Sequence, residues 1–162
     1  MKLLVKVLLF TVLVPGFVAV LAPRLLLWSG LPLLALPLGS LRHSGWLLVA
    51  AGAAIYAWTV WDFATVGRGT PAPIDPPKEL VVRGLYRHVR NPMYAGVLLF
   101  IAGQALLWQS GQTLLCAAAV WAGFHLFVLG VEEPQLRRLF GEAHIRYCAR
   151  VPRWLPSLRG DR

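Results

Sequence analysis

Acid is scarce in this chain. Seven aspartates and glutamates stand against sixteen lysines and arginines in 162 residues, and charged side chains make up only 14% of the whole. A soluble domain usually carries about a quarter of its residues as charges, so an ordinary solvated surface is excluded. Cysteine is rarer still. Cys116 falls within an apolar run and Cys148 in the tail; they are far apart and lack metal-ligand spacing, which argues against a disulfide framework and a zinc site. What the chain has instead is hydrophobic residue, 57% of the total, with a mean hydropathy of +0.62.

Four runs are long enough to cross a hydrocarbon core at about 1.5 Å per residue. They are Leu3–Leu21, Trp46–Val66, Pro92–Trp108 and Thr113–Val131, the third only just long enough. Leu25–Leu41 is also apolar, but Pro23, Pro32 and Pro37 with Gly30 and Gly39 argue against an uninterrupted helix, so it reads as an interfacial or re-entrant connection, or else as a fifth span. The first run, with Lys2 and Lys6 at its start, an apolar core and Val20-Leu21-Ala22 at its end, also fits a cleaved signal peptide; its length and the membrane segment that follows favour a span. The expected fold is an all-α integral membrane protein of four or five transmembrane helices. Residues 1–66 form an N-terminal membrane region, and residues 67–162 hold a loop, a helical hairpin and a basic tail.

Charge placement orients the chain. With four spans, Lys2 and Lys6 share a side with Arg68, Lys78, Arg83, Arg87 and Arg90 of the second connection. Seven arginines of the tail, Arg137, Arg138, Arg146, Arg150, Arg153, Arg159 and Arg162, join them, and only Arg24 and Arg42 lie opposite. By the positive-inside rule the loop and tail are cytoplasmic. The formal charge of +9 is explained by topology and anionic headgroups. No basic domain with a nucleic-acid recognition motif accompanies it.

The loop Gly67–Asn91, with Pro71, Pro73, Pro76 and Pro77 at its start, is longer than a turn between helices requires. It enters the third run through Arg87-His88-Val89-Arg90-Asn91-Pro92-Met93-Tyr94. Asn91 is expected as N-cap, with Pro92 at the first helical position. A helix start exposes unpaired N–H groups and suits an anion, with Arg87 and Arg90 reinforcing the field. The plainer alternative is a helix start whose arginines meet lipid phosphates, with Tyr94 an interfacial aromatic.

Glu132 and Glu133 close the fourth run, so a hairpin returns them to the side that holds this turn. Acids at a helix C-terminus oppose its dipole by about 0.3–1 kcal/mol each. Arg137, four residues beyond Glu133, is the simplest compensating partner; the other carboxylate is then open to a ligand's hydroxyls, as beside a ribose. Asp62 and His125 are the remaining polar residues inside runs. Asp62 reads as reaching water or pairing with Arg68 more readily than as a functional acid, and His125 as bonded to a neighbouring helix.

Taken together, Leu80-Val81-x-x-Gly84-x-Tyr86, Arg90-Asn91-Pro92-x-Tyr94-x-Gly96, Glu132-Glu133, Phe140-Gly141-Glu142, Tyr147 and Arg150-Val151-Pro152 resemble the isoprenylcysteine carboxyl methyltransferase and phospholipid methyltransferase family of membrane enzymes. The resemblance covers about residues 67–156. It implies a methyltransferase that takes S-adenosylmethionine from the cytoplasm and meets a lipophilic or amphipathic acceptor from the bilayer. The cofactor pocket it implies uses Lys78, Glu79, Leu80, Val81, Tyr86, Asn91, Pro92, Met93, Tyr94 and Glu132. Arg90, Glu133, Tyr147 and Arg150 make secondary contacts, and the tail around Phe140, Gly141 and Tyr147 folds over as a helical lid. The chain departs from the family in three places: Asn91 stands where many members have histidine, His144 at a position often aromatic, and Val128 where eukaryotic prenylcysteine enzymes use an arginine to hold the substrate carboxylate.

Methyl transfer from a sulfonium asks mostly for positioning and exclusion of water, so neither metal nor triad is expected. Where an acceptor must lose a proton, Glu133, His88 and His144 are the candidate bases, and no residue is assigned as catalytic. Two other readings stay open. One is a sterol-type membrane reductase using a nicotinamide cofactor; the other is a membrane scaffold or lipid-binding protein without turnover.

Overall fold

The structure is a computed structural model that describes residues 12–29, 34–67 and 78–156. Every regular element among them is helical. The only strand-like contact described is an isolated antiparallel bridge between Ala35 and Ser110, so the all-α expectation holds. The first nine residues of the expected first span, Gly30 and Pro32, Arg68, and Pro71, Pro73, Pro76 and Pro77 lie outside the described residues.

A π-helical segment, Val12–Leu21, leads into α1 (Ala22–Trp28). Pro15 sits inside it, and a wider turn accommodates a residue with no N–H to donate. The chain is irregular from Leu34 to Leu38. A 3₁₀ turn, Gly39–Ser44, then opens α2 (Gly45–Asp62), which continues through a π turn at Phe63–Gly67. After the 3₁₀ turn Gly84–Arg87 come α3 (Pro92–Leu107), α4 (Gly111–Phe127), a π-helical stretch Val128–Glu132, α5 (Glu133–Phe140) and α6 (Glu142–Arg150).

Glycine brings α2 and α3 together. They run antiparallel with Gly45 against Gly103 and Gly52 against Gly96; a Cβ at Gly52 would stand 2.6 Å from the Gly96 carbonyl oxygen, and one at Gly103 2.7 Å from that of Gly45. Small residues allow this backbone approach between membrane helices. Beside the pair, Ala19, Val97, Ile101 and Ala117 form a buried cluster with Tyr56, Phe100 and Phe124 around it. The buried Gln104 amide donates to the Ala19 carbonyl at 2.6 Å, which satisfies a polar group and ties the N-terminal segment to α3.

The α3–α4 turn is fixed from outside. Gln109 takes a left-handed φ of 52°, and its carbonyl and side-chain oxygens accept from the Leu36 and Leu38 amides at 2.8 and 3.2 Å. Ser110 then caps α4, its hydroxyl accepting from the Thr113 amide at 3.2 Å in the usual N-cap manner.

Two continuous helices, Gly39–Val66 with 28 residues and Gly111–Phe140 with 30, are long and apolar enough to cross a membrane, and only 17% and 11% of their apolar windows are buried. The core helix of a soluble protein hides its apolar side chains; here Trp46, Leu47, Trp61 and Leu126 are each more than 60% exposed. Apolar helices facing outward fit lipid, and the protein is a membrane protein. The third expected span is short, as its sequence implied: α3 has 16 residues, about 24 Å at 1.5 Å each.

One boundary differs from expectation. The helix of the fourth run does not stop at Val131 but passes through its π-helical stretch into α5. Pro134 removes one intrahelical donor, and the wider turn just before it lets the helix continue. Glu132 and Glu133 therefore stand within a long helix, and the expected dipole penalty at a C-terminus does not arise.

Candidate active site

The start of α3 lies beneath residues 151–154. Asn91 holds the N-cap position and Pro92 the first turn, as expected, but the Asn91 side chain does not cap the helix. Its amide donates instead to the Arg153 carbonyl at 3.0 Å, and the Arg90 amide donates to the Pro152 carbonyl at 2.9 Å. The turn thus spends these donors on holding the strap formed by α6 and residues 151–154.

The two glutamates part company. Glu132 accepts from the Tyr94 hydroxyl at 2.7 Å, and the Tyr94 ring stacks on Phe124 with centroids 4.5 Å apart. Glu133 turns away from Arg137, its expected partner. One of its oxygens accepts from Arg90 Nη1 and Arg153 Nε, both at 2.8 Å, and the other from Arg153 Nη2 at 2.9 Å. A forked, nearly parallel pair such as Arg153–Glu133 is stronger and more directional than the exposed i,i+4 pair it replaces. The hydrogen bond from Arg153 to Glu133 is also what raises the arginine's pKa further, against the effect of burial.

Other contacts seat the strap. Tyr147 donates its hydroxyl to the Tyr86 carbonyl at 2.8 Å, Trp154 Nε1 donates to His125 Nδ1 at 3.0 Å, and His125 stacks on Trp121. Arg90 Nη1 reaches Cys148 at 3.0 Å. His144 is buried; burial pushes its imidazole pKa down, the Glu133 charge opposes this, and the charges of Arg90 and Arg137 assist it. Burial, followed by the charge of Glu132, holds the Tyr86 phenol well above its ordinary 10.0.

Two cavities flank this ion cluster and share Arg90 as a wall. The inner one is lined by Phe63, Tyr86, Asn91, Met93, Tyr94 and Glu132 besides Arg90, and holds about 40 Å³. The outer one holds about 510 Å³ and is bounded by Glu133, Arg137, His144, Cys148 and Arg153, with Leu129, Pro134 and Ile145 as its apolar side.

Of the expected site residues, Tyr86, Asn91, Met93, Tyr94, Glu132 and Arg90 meet at the inner cavity, with Pro92 buried beneath. Lys78 and Glu79 are exposed, Leu80 is half-buried and Val81 buried; none of the four is among the residues that line either cavity. Tyr147 reaches the site through Tyr86, whereas Arg150 is exposed. Arg153, not singled out from the sequence, makes the ion pair. Helix α6 ends at Arg150, and the turn at Val151-Pro152 swings the next arginine inward; spacing alone does not reveal that swing.

Asp62 is buried beneath the same loop. One carboxylate oxygen lies 3.9 Å from Arg83 Nε, and the other is buried without a hydrogen-bond partner. It abuts Gly84, whose φ is +56°, so both space and backbone exclude a side chain there. The Arg68 expected as its partner lies outside the described residues.

A model of the phospholipid methyltransferase family matches residues 41–143, more than half of the chain. The chain belongs to the phospholipid methyltransferase family. The match starts well before residue 67, where the resemblance was expected to begin, so α2 is part of the family region and not merely a similar apolar helix. It also stops in the first turn of α6, so that most of the strap lies beyond it.

Several members of the methyltransferase group are similar in sequence. The chain is 33% identical over 79 residues to protein-S-isoprenylcysteine O-methyltransferase B of Arabidopsis thaliana, covering 48% of this chain and 40% of that protein. It is 35% identical over 80 residues to the Schizosaccharomyces pombe protein-S-isoprenylcysteine O-methyltransferase, covering 49% and 34%. A probable rice enzyme of the same description is 31% identical over 81 residues, 49% of this chain and 42% of its own length. The chain therefore spans less than half the length of these relatives. No solved structure matches it. Membership in the phospholipid methyltransferase family implies a methyl donor, and neither the nicotinamide reductase nor the scaffold is favoured by these matches.

Proposed function

We propose that this chain is a multi-pass membrane methyltransferase that uses S-adenosylmethionine and methylates a hydrophobic or amphipathic acceptor, with its site and C-terminus on the cytoplasmic side. The observation that carries this reading is the Tyr94–Glu132 pair under the Arg90-Asn91-Pro92 turn. Supporting it are the family match, the similarity to named methyltransferases and the concentration of arginines around the same face.

The donor set fits such a cofactor. Glu132 offers a carboxylate to ribose hydroxyls, the rings of Phe63, Tyr86 and Tyr94 line the space for a flat, cationic molecule, and Arg90 carries a buried Nε with no partner. The cavity between them, about 40 Å³, is far below the several hundred Å³ of a usual small-molecule site. Entry therefore requires the strap to lift from Tyr86 and Asn91. When bound, the sulfonium supplies an activated methyl group.

The chain's own residues position and enclose. Tyr94 fixes the Glu132 carboxylate, Arg90 and Arg153 clamp the strap through Glu133, and the re-seated strap excludes water. Orientation of this kind is worth about 7–11 kcal/mol in favourable cases. Glu133, engaged by two guanidiniums, is a poor base. His144, with its lowered pKa, stays neutral at pH 7 and is the better proton acceptor.

The test is calorimetric titration of the full chain in nanodiscs with S-adenosylmethionine. Saturable binding is expected, weakened about tenfold or more in Glu132→Gln, the loss of one charged hydrogen-bond acceptor. Unchanged affinity in that variant, or no binding by folded protein, overturns the reading.

A further inference from the structure

One sulfur in the strap has the surroundings that activate a thiol. Cys148 lies one helical turn after His144 on α6, half-buried on the wall of the outer cavity. Its Sγ accepts from Arg90 Nη1 at 3.0 Å and lies 3.5 Å from His144 Nε2. Arg90 Nη1 carries two hydrogens, so it serves Glu133 at 2.8 Å and the sulfur together. The Arg90 Nε is buried without a partner, so this guanidinium has charge that its protein partners do not fully take up. A cation aimed at sulfur and a ring nitrogen within reach of its proton distinguish a nucleophilic cysteine from an inert one. Cys116, by contrast, lies within the membrane helix Gly111–Phe140 and is not among the residues lining the cavity.

His144 supplies what the thiol needs. Burial lowers its pKa, so at pH 7 the neutral ring has a lone pair to take the Sγ proton. The charge of Glu133, which opposes that lowering, steadies the imidazolium that results. Once ionised, the sulfur also faces Arg153, whose protonated form its charge favours. On its open side the cavity of about 510 Å³ has room for an attached group. An aromatic residue, common in the family at the position of His144, would leave the sulfur without this acceptor; the pairing belongs to this chain.

We infer that Cys148 is a modification site for a small disulfide, with His144 as its base, Arg90 as the donor that steadies the sulfur, and the outer cavity as the space that receives the attached group. In the exchange, Cys148 Sγ attacks one sulfur of the disulfide. The new S–S bond forms as the old one breaks, and the departing thiolate takes the proton that His144 removed. Cys148 is oxidised, the released half of the disulfide is reduced to a thiol, and no other oxidant is needed. An excess of small thiol runs the step backwards.

The test incubates the full chain in phosphatidylcholine nanodiscs with glutathione disulfide at pH 7 and maps acid-quenched samples by peptide mass. Cys148 is expected to gain one glutathionyl group about tenfold faster than the model thiol N-acetylcysteine amide. Cys116 is expected to stay unmodified, and dithiothreitol to remove the added mass. In His144→Phe, which keeps a ring and deletes both nitrogens, the rate is expected to fall about tenfold, the effect of losing one contact to a charged group. Iodoacetamide, small and uncharged, is expected to show the same preference for Cys148 over the model thiol, and it decides the matter should His144→Phe fail to fold. A Cys148 no faster than the model thiol, equal modification of Cys116, or an unchanged rate in folded His144→Phe overturns the inference. So does a preference seen with glutathione disulfide and lost with iodoacetamide, which would trace the rate to the peptide's own charges. None of these readouts involves S-adenosylmethionine, so their failure leaves the methyl-transfer reading untouched.

Discussion

At the residue scale, Glu133 joins more of the molecule than any neighbour: it accepts from Arg90 at the start of α3 and from Arg153 in the strap. Glu133→Gln keeps the shape and removes the charge, leaving two guanidiniums facing each other. A loss of about 1.5–3 kcal/mol, the range for a hydrogen bond to a charged group, is expected as a lower thermal midpoint, and limited proteolysis is expected to cut first after arginines of the strap. A midpoint within error of the parent chain means that the clamp does not hold the strap. Trp154→Phe, which deletes the donor to His125 while keeping an aromatic ring, is expected to cost about 0.5–1.5 kcal/mol in the same assay. These two partners were not legible beforehand. Glu133 has an arginine at i+4, and local spacing always favours a neighbour on the same helix over one that arrives from another part of the chain.

At the element scale, the apolar runs beginning at Trp46, Pro92 and Thr113 correspond closely to α2, α3 and α4, because twenty or so apolar residues leave the backbone little choice but to bond within itself. The asparagine–proline start of α3 was equally visible. The continuation past Val131 was hidden: two acids and a proline are ordinary stop signals, and only the π-helical stretch before Pro134 reconciles them with an unbroken helix. The contact between α2 and α3 also lay beyond single-residue reading, since glycines seven residues apart on each run show their purpose only when the two are set antiparallel. Gly52→Leu places a side chain against the Gly96 carbonyl and Phe100 backbone. Overpacking of this kind costs about 1–3 kcal/mol or more, to be read as a lower midpoint in detergent; a neutral Gly52→Leu would contradict the close approach. Gly123→Ala, where an added Cβ meets nothing within 4 Å, is the matched control, expected to leave the midpoint unchanged or slightly raised as a helix interior loses a glycine.

At the scale of the whole molecule, acid should loosen the docked end before it unfolds the helices. The folded state holds His144 below its ordinary value of 6.5, so the unfolded chain binds the extra proton first and stability falls as pH drops from 6.5 toward the folded pKa. A lower thermal midpoint at pH 5.5 than at pH 7.5 is expected, with the difference reduced in His144→Gln. An unchanged difference in that variant assigns the acid sensitivity to other groups.

The glycine seam between α2 and α3 also has a mechanical consequence. Where backbone meets backbone, sliding either helix drives side chains such as Val49 and Leu107, which already lie against the opposing glycines, into the partner's backbone, so the two helices act as a single post. Asp62 ends one half of that post and Pro92 begins the other, and their neighbours Phe63 and Asn91 line the inner cavity, which seats the floor of that cavity on the post. On the proposed methyltransferase reading, a ligand is then admitted from the opposite jaw, by the long α4–α5 helix and the strap.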